Sequence, residues 1–473
     1  MTAAAPHSDV LIVGAGSAGS VVAERLSADA ARTVTVLEAG PALADPELLA
    51  LTANGLQLPI GVGSPLARRY LTTLTDRHAL KLPIVRGATV GGSGAINGGY
   101  FCRALPCDFD RAAVPGWAWS DVLEHFRAIE TDLDFDGPAH GQAGPIPVRR
   151  TREMTGTTEA FIAQAERAGF GWIDDLNDAG PELVSGLGAV PLNIVDGVRT
   201  GSGAAYLLPA LGRPNLMLLE RTRAVRLRFA GATAVGVEVI GPRGQATVSA
   251  DRIVLCAGAI ESAHLLMLSG IGDEAMLRAA GVPVVAPLPV ATSCSDHPEW
   301  VLPTNWAVAP GRPVVEVVLS TDDGIEIRPY TGGFVAMTGD GTAGHPDWPH
   351  IGVALMRPQA RGRITLVSPD PAVPPHIEHR YDSEPDDVAA LRRGSELARE
   401  LAGAATSVGS PVWSTSQHLC GTAPMGTVVD PRCRVYGIEN LWVIDGSILP
   451  AITSRGPHAT IVMLGHRAAE FVA

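Results

Sequence analysis

Lysine is almost absent. Lys81 is the only one in 473 residues, so no Gly-Lys-Ser or Gly-Lys-Thr phosphate loop exists. A pyridoxal Schiff base would have only Lys81 to form on, in the plain apolar context Ala79-Leu80-Lys81-Leu82. Basic residues are also outnumbered, 36 Lys plus Arg against 49 Asp plus Glu, for a net charge of −13. A protein that tracks nucleic-acid phosphates needs a basic stripe, so that class is excluded. Cysteine is sparse: the six are scattered without a C-x-x-C pair, which reads as buried thiols of a reducing compartment and not as a disulfide framework. No Cys/His spacing or H-x-x-x-H pattern supports a metal site. Long apolar runs are missing as well. The strongest, Ile253 to Ile271, is broken by Glu261, Ser262 and His264, short of the roughly 18 residues a membrane span needs. Residues 1–8 lack the charged and apolar regions of a signal peptide. The expectation is a cytoplasmic chain with no integral membrane segment.

What is present is a globular composition, 46% hydrophobic and 18% charged, with chain enough for about three domains or two large interleaved ones. The first forty residues are the most legible. Asp9–Val13 is a buried-strand run, followed by Gly14-Ala15-Gly16-Ser17-Ala18-Gly19, a helical pattern through Val21, Val22 and Leu26, and a second β-branched run, Thr33–Leu37, ending at Glu38. This is a βαβ unit. Gly14 permits the tight turn, Gly16 lets backbone approach a pyrophosphate, and Gly19 lets helix pack on strand. Ser17 and Ala18 open the helix, whose N-terminus offers free N–H groups to phosphates. Glu38, nineteen residues past Gly19, stands where a carboxylate accepts both hydroxyls of an adenosine ribose, which disfavours a 2′-phosphate. The alternative for the glycine run alone is a plain strand–helix turn.

Later segments differ. A second glycine-rich loop runs from Arg86 through Gly91, Gly92, Ser93 and Asn97 to Tyr100. Residues 117–130, 153–169 and 384–402 have helical patterning. Residues 214–256 read as a meander of Leu216–Leu219, Ala224–Phe229, Ala234–Ile240, Ala246–Val248 and Arg252–Cys256. Residues 299–368 alternate as antiparallel strands: Glu299–Val308, Val314–Leu319, Ile325–Arg328, His350–Arg357 and Arg363–Val367. Leu441–Gly446 returns to the buried-strand type, and a helix from about Ala459 closes the chain. The expected plan is α/β (α+β overall), a Rossmann-type dinucleotide-binding domain interleaved with a substrate domain on a mainly antiparallel sheet covered by helices. Residues 1–110, 185–296 and 412–473 would form the first, and 111–184 and 297–411 the second.

Six blocks together resemble the glucose–methanol–choline (GMC) family of flavin oxidoreductases: Gly14–Gly19 with Glu38; Gly91–Gly98; Gly258–Gly272; Arg361–Leu366 with Pro375-His376-Ile377; His418–Gly426; and Val443–Ser447 with Pro457–Thr460. They run in family order over nearly the whole chain. The compact length and the block Arg86 to Cys102 look like the short actinobacterial members associated with the mycofactocin system. That resemblance implies redox chemistry on the peptide-derived cofactor mycofactocin. The wider family leaves a small primary alcohol, choline-like or aryl, as the alternative substrate. Oxygen or a respiratory-chain component at the inner face of the membrane remain open as electron acceptors. Departures are local. Ala88 replaces a basic residue, so one flavin phosphate contact is either missing or supplied by Arg86, and Ala291–Cys294 replaces a glycine turn. Ile96 stands where covalently flavinylated members carry histidine, which implies FAD bound non-covalently.

Removing a hydride from a carbinol carbon requires an acceptor for the hydroxyl proton, and histidine suits that task near neutral pH. His418 follows a candidate strand, Val412–Gln417, and His458 precedes the last helix. Taken singly, each reads as structural. The resemblance implies that they form the catalytic pair, His418 as principal proton acceptor and His458 orienting the alcohol or sharing the proton. It also implies that Gly14, Gly16 and Gly19 take the FAD pyrophosphate, Glu38 the ribose, Val225 backbone the adenine, and Gly92, Ser93 and Asn97 the flavin side. Ala257 flanks the nucleotide, and Asp445 and Gly446 close over the pyrophosphate or ribityl chain. His264, His345, His350, His376 and His379 read as structural, Cys420 as packing, and Asp296-His297 as a turn or a hinge near the flavin. Two other classes remain: a nicotinamide dehydrogenase on the same βαβ unit, and a non-catalytic flavoprotein that passes electrons to a partner.

Overall fold

The computed structural model describes residues 7–43, 45–338, 347–403 and 410–473; His345 lies outside them. Strand Ser8–Val13, helix Ser17–Ser27 and strand Val34–Leu37 form the βαβ unit. Both strands pair in parallel, Val10 with Val34 and Val13 with Leu37, and Val10, Leu11 and Ile12 are wholly buried. Each such side chain is worth roughly 1.5–3 kcal/mol relative to exposure. Strand Leu216–Leu219 extends the sheet beyond Val34–Leu37. It is therefore the parallel edge and not the opening strand of a meander.

Ala246–Val248 and Arg252–Cys256 are one strand, Gly244–Leu255. Its first half pairs antiparallel with Thr233–Gly241, which pairs in turn with Arg223–Ala230. Its second half lies in parallel between Ser8–Val13 and Leu441–Val443. The polar Ser249-Ala250-Asp251 marks where the strand passes from a half-solvated ribbon into the buried sheet. Helix His458–Val472 packs on helix Ser17–Ser27, close enough that a Cβ at Gly465 would stand 2.8 Å from the Ala18 carbonyl oxygen.

A second sheet runs in the order Val412–Thr415, Pro298–Pro303, Pro349–Leu355, Ile325–Gly333, Val317–Ser320, Gly186–Ala189, Trp172–Ile173. All its pairings are antiparallel except the last. Helices Thr157–Arg167 and Pro385–Ala402 cover it, burying Phe161, Leu391 and Leu401 against Ile327 and Val353. The sheet thus recruits Gly186–Ala189 and Val412–Thr415 from segments assigned by sequence to the nucleotide domain. Arg363–Thr365 leaves it for a four-stranded sheet with His376–Glu378, Ala67–Thr73 and Lys81–Gly87.

Candidate active site

One cavity of about 480 Å³ runs from the carboxyl ends of the parallel strands to the antiparallel sheet. Its first wall is the glycine turn. Gly14 has φ +102°, and a Cβ there would stand 2.6 Å from the Cys256 carbonyl oxygen, so only glycine fits. No side chain caps helix Ser17–Ser27 at Gly16, which leaves its first N–H groups directed at the cavity. Glu38 accepts from the backbone N–H of Ala15 at 3.0 Å and Gly40 at 2.8 Å. Burial pushes its carboxyl above the usual range, against those bonds.

The second glycine loop lies against the first. Gly92 has φ +54°, and a Cβ there would meet the Gly16 Cα at 2.8 Å. Ser93 Oγ accepts from Gly87 N–H at 3.1 Å, and Asn97 Oδ1 from Gly99 N–H at 2.9 Å. Arg86 donates to the Val85 carbonyl and Gln417 Oε1, while its Nη2 is buried without a partner among the described residues. Asp445 clasps the far side. It accepts from Gly258 N–H at 2.8 Å, Ser262 Oγ at 2.6 Å and Ser447 N–H at 2.8 Å. The expected cofactor residues line this cavity except Gly19, Gly91 and Val225; Ala224 lines it beside Val225. Gly19 instead packs against the Gly14 carbonyl, as helix-on-strand contact requires.

His418 and His458 face the same cavity. His418 follows Gln417, whose left-handed φ of +63° costs about 1–2 kcal/mol. That conformation is held by Gln417 Oε1 accepting from Val85 N–H at 2.7 Å. The buried Asp296 carboxylate accepts from the backbone N–H of His418 at 2.7 Å and of His297 at 2.8 Å. It also accepts from the Tyr381 and Thr415 hydroxyls, both at 2.9 Å. His418 Nδ1 stands 2.8 Å from His297 Nδ1, and His297 Nε2 stands 2.9 Å from the Thr453 carbonyl oxygen. His458 opens the last helix, its Nδ1 3.5 Å from Ser17 Oγ and its buried Nε2 without a partner among the described residues. Burial holds His458 at about 4 and His297 at about 4, and burial, with the Arg328 and Arg86 guanidiniums nearby, holds His418 well below the ordinary value. Burial thus disfavours the charged form of all three rings.

The antiparallel sheet expected to carry the substrate domain forms the far end of the cavity, but its polar residues were not singled out from the sequence. Glu299 accepts from the Tyr330 hydroxyl at 2.8 Å, Ser416 Oγ at 2.8 Å and Arg328 Nη1 at 3.4 Å. Arg328 and Arg455 share Glu326, each at 2.8 Å. Two carboxylates thus face two guanidiniums, a balanced buried group. Leu58, Ile60, Val314 and Phe334 supply apolar wall beside it. His297 was also missed as a site residue, its Asp-His-Pro context having suggested only a turn or hinge. Elsewhere, Glu130, Asp132 and His140 could converge on an ion. However, Arg103 pairs with Glu130 and Arg150 with Asp132. Burial opposes the His140 charge, yet Asp132, Asp175 and Glu130 carry its pKa up to about 11. The group is a closed ion-pair network.

Two GMC oxidoreductase family models match the chain, one over residues 8–299 and one over residues 358–465. The chain is a GMC oxidoreductase. Members of this family are FAD-dependent enzymes acting on CH–OH groups. This GMC oxidoreductase is 40% identical to an uncharacterized GMC-type oxidoreductase of Rhodococcus erythropolis, covering 99% of both chains. It is 32% identical to an oxygen-dependent choline dehydrogenase of Brucella ovis, over 98% of this chain and 95% of the relative. The crystal structure of pyridoxine 4-oxidase from Mesorbium loti superposes with a TM-score of 0.88 at 28% identity, over 98% of this chain and 99% of that one. The residues present fit the family's cofactor: two glycine turns that a Cβ would fill, two uncapped helix N-termini, and the orphaned buried Nη2 of Arg86 all face one cavity.

Proposed function

We propose that this GMC oxidoreductase oxidises the alcohol form of mycofactocin in the cytoplasm, with FAD held non-covalently, and passes the electrons to a separate acceptor. Bound FAD supplies the two-electron acceptor for the hydride that leaves the carbinol carbon. The chain's own residues do the rest. The N-terminus of helix Ser17–Ser27 and the backbone of Gly14, Gly16 and Gly92 hold the pyrophosphate, Glu38 the ribose, and Ser93, Asn97 and Arg86 the flavin side. His418 takes the hydroxyl proton at Nε2, and His458 orients the oxygen. The Leu58, Ile60, Val314 and Phe334 walls exclude water. The observation that carries this reading is the convergence of His418 and His458 on one cavity with the two glycine turns.

The substrate rests on the resemblance of the Arg86–Cys102 block and the compact length. A second reading, a small aryl alcohol, is favoured by the phenolic and apolar wall. An ammonium alcohol fits less well, because Glu299 is committed to Arg328, Tyr330 and Ser416 and offers no bare carboxylate. The test is anaerobic reduction of the FAD-loaded protein. Bleaching by reduced mycofactocin and not by benzylic alcohols or choline supports the first reading. Bleaching by benzylic alcohols alone replaces it with the second, and bleaching by neither, with His418→Ala indistinguishable from wild type in electron transfer, points to a non-catalytic flavoprotein.

A further inference from the structure

Among the described residues, His297 is a buried titratable group beside the cavity that the proposed chemistry leaves without a task. It is fully buried and does not itself line the cavity. Its two ring nitrogens each meet one partner, and the chemistry of those partners fixes the protons. A carbonyl oxygen accepts only, so the 2.9 Å approach of His297 Nε2 to the Thr453 oxygen requires a proton on Nε2. A neutral imidazole carries one N–H, so His297 Nδ1 is a bare lone pair. That lone pair stands 2.8 Å from His418 Nδ1, and two lone pairs repel at this distance. His418 must therefore donate from Nδ1, which leaves its Nε2 bare. The reverse tautomers would place the His297 Nε2 lone pair against the Thr453 oxygen.

We infer that His297 is a positioning residue that locks His418 in the tautomer whose Nε2 can take the alcohol proton. The inference rests on the reading of His418 as the base. In the step, the alcohol O–H bond breaks and its proton goes to His418 Nε2, while the C–H electron pair leaves as hydride to the family's FAD. The product is the carbonyl, and His418 becomes an imidazolium whose Nδ1–H still points at the neutral His297 Nδ1. A hydrogen bond from a group that becomes charged strengthens during the step, so it stabilises the transition state more than the ground state. The same residue ties the two proposed catalytic histidines together, because Thr453 belongs to the turn that leads through Arg455 and Gly456 to His458. Thr453 Oγ1 donates to the Arg455 carbonyl at 2.7 Å, which stiffens that turn.

The test compares His297→Leu, which has no acceptor, with His297→Asn, whose Oδ1 takes the place of Nδ1. In FAD-loaded protein, His297→Leu is expected to slow flavin reduction at saturating alcohol by about 10- to 100-fold, the worth of one hydrogen bond to a charged group. The half-saturating alcohol concentration should stay nearly unchanged, and His297→Asn should restore most of the rate. Combining His297→Leu with His418→Ala should add nothing to the loss from His418→Ala alone. Independently of turnover, ¹⁵N-histidine spectra of the loaded protein should show His418 protonated at Nδ1 and bare at Nε2, and His297 the reverse. Opposite tautomers, an unaffected His297→Leu, or a His297→Asn as slow as His297→Leu with an unchanged flavin spectrum would overturn the assignment of His297. A His418→Ala protein that reduces its flavin at the wild-type rate would overturn instead the reading of His418 as base.

Discussion

Replacing Gly92 by alanine isolates the contact between the two glycine turns. Gly92 has φ +54°, and an alanine Cβ would lie 2.8 Å from the Cα of Gly16, backbone against backbone. The left-handed conformation costs a non-glycine residue about 1–2 kcal/mol, and overpacking against a neighbour that cannot rotate away adds about 1–3 kcal/mol. The turns can relieve that overlap only by separating, which withdraws the Gly16 end of helix Ser17–Ser27 from the cavity. The penalty of roughly 2–5 kcal/mol therefore falls mainly on FAD affinity, about 30- to 4,000-fold in Kd. The control is Gly426→Ala. Gly426 also has a left-handed φ, +88°, but a Cβ there meets nothing within 4 Å and the residue is outside the cavity lining. It should lower Tm slightly and leave FAD affinity unchanged. Fluorescence titration of FAD-stripped protein reads both. A Gly92→Ala protein that binds FAD within threefold of wild type would refute the close-approach argument.

Loss of the proposed base, His418→Ala, should slow flavin reduction by alcohol about 10²- to 10⁴-fold while the bound-flavin spectrum persists, as stopped-flow absorbance would show. Arg150→Ala removes the buried guanidinium shared by Asp132 and Asp175, leaving His140 as the one cation against both, and should destabilise by up to about 3–5 kcal/mol without altering the flavin spectrum, checked by chemical denaturation. Acid should destabilise the fold before the carboxylates titrate. Burial, with Arg25 and His125 beside it, holds His466 at about 3, and burial holds His297 and His458 at about 4. Each binds its proton more readily unfolded, so the stability it contributes is present above about pH 6.5 and lost as pH falls towards those values, at most about 1.4 kcal/mol per pH unit each. His140 has the opposite sign, with a contribution complete below about pH 6.5 and lost as pH rises towards 11. Tm measured from pH 5 to 10 should thus fall towards both ends, and His140→Gln should flatten the alkaline side alone.

The parts legible in the sequence are those whose physics is local. The strand–glycine–helix–strand unit of residues 8–38 could be read because hydrophobic period, turn glycines and terminal acid lie within thirty residues. Gly244–Leu255 read as two strands because its pattern changes where burial changes, although the backbone continues. Arg363–Thr365 was recognisable as a strand but not as a partner of His376–Glu378, since sheet membership depends on distant chain. His297 shows the same limit in the site. Pairing of Pro298 with Thr415 brings it beside His418, 121 residues away, and no motif spacing encodes that juxtaposition. Glu299, Arg328, Glu326 and Arg455 carry no motif in the sequence; only the buried sheet face shows them as a matched set.

The central claim, an FAD enzyme that oxidises one particular alcohol through His418, is tested most directly by the visible spectrum of the purified protein after incubation with FAD and removal of the excess. The account predicts a bound two-band flavin spectrum that bleaches anaerobically with reduced mycofactocin, and does so at least about a hundredfold more slowly in His418→Ala. Folded protein that retains no flavin, or bleaching at equal rates in both proteins, would contradict it.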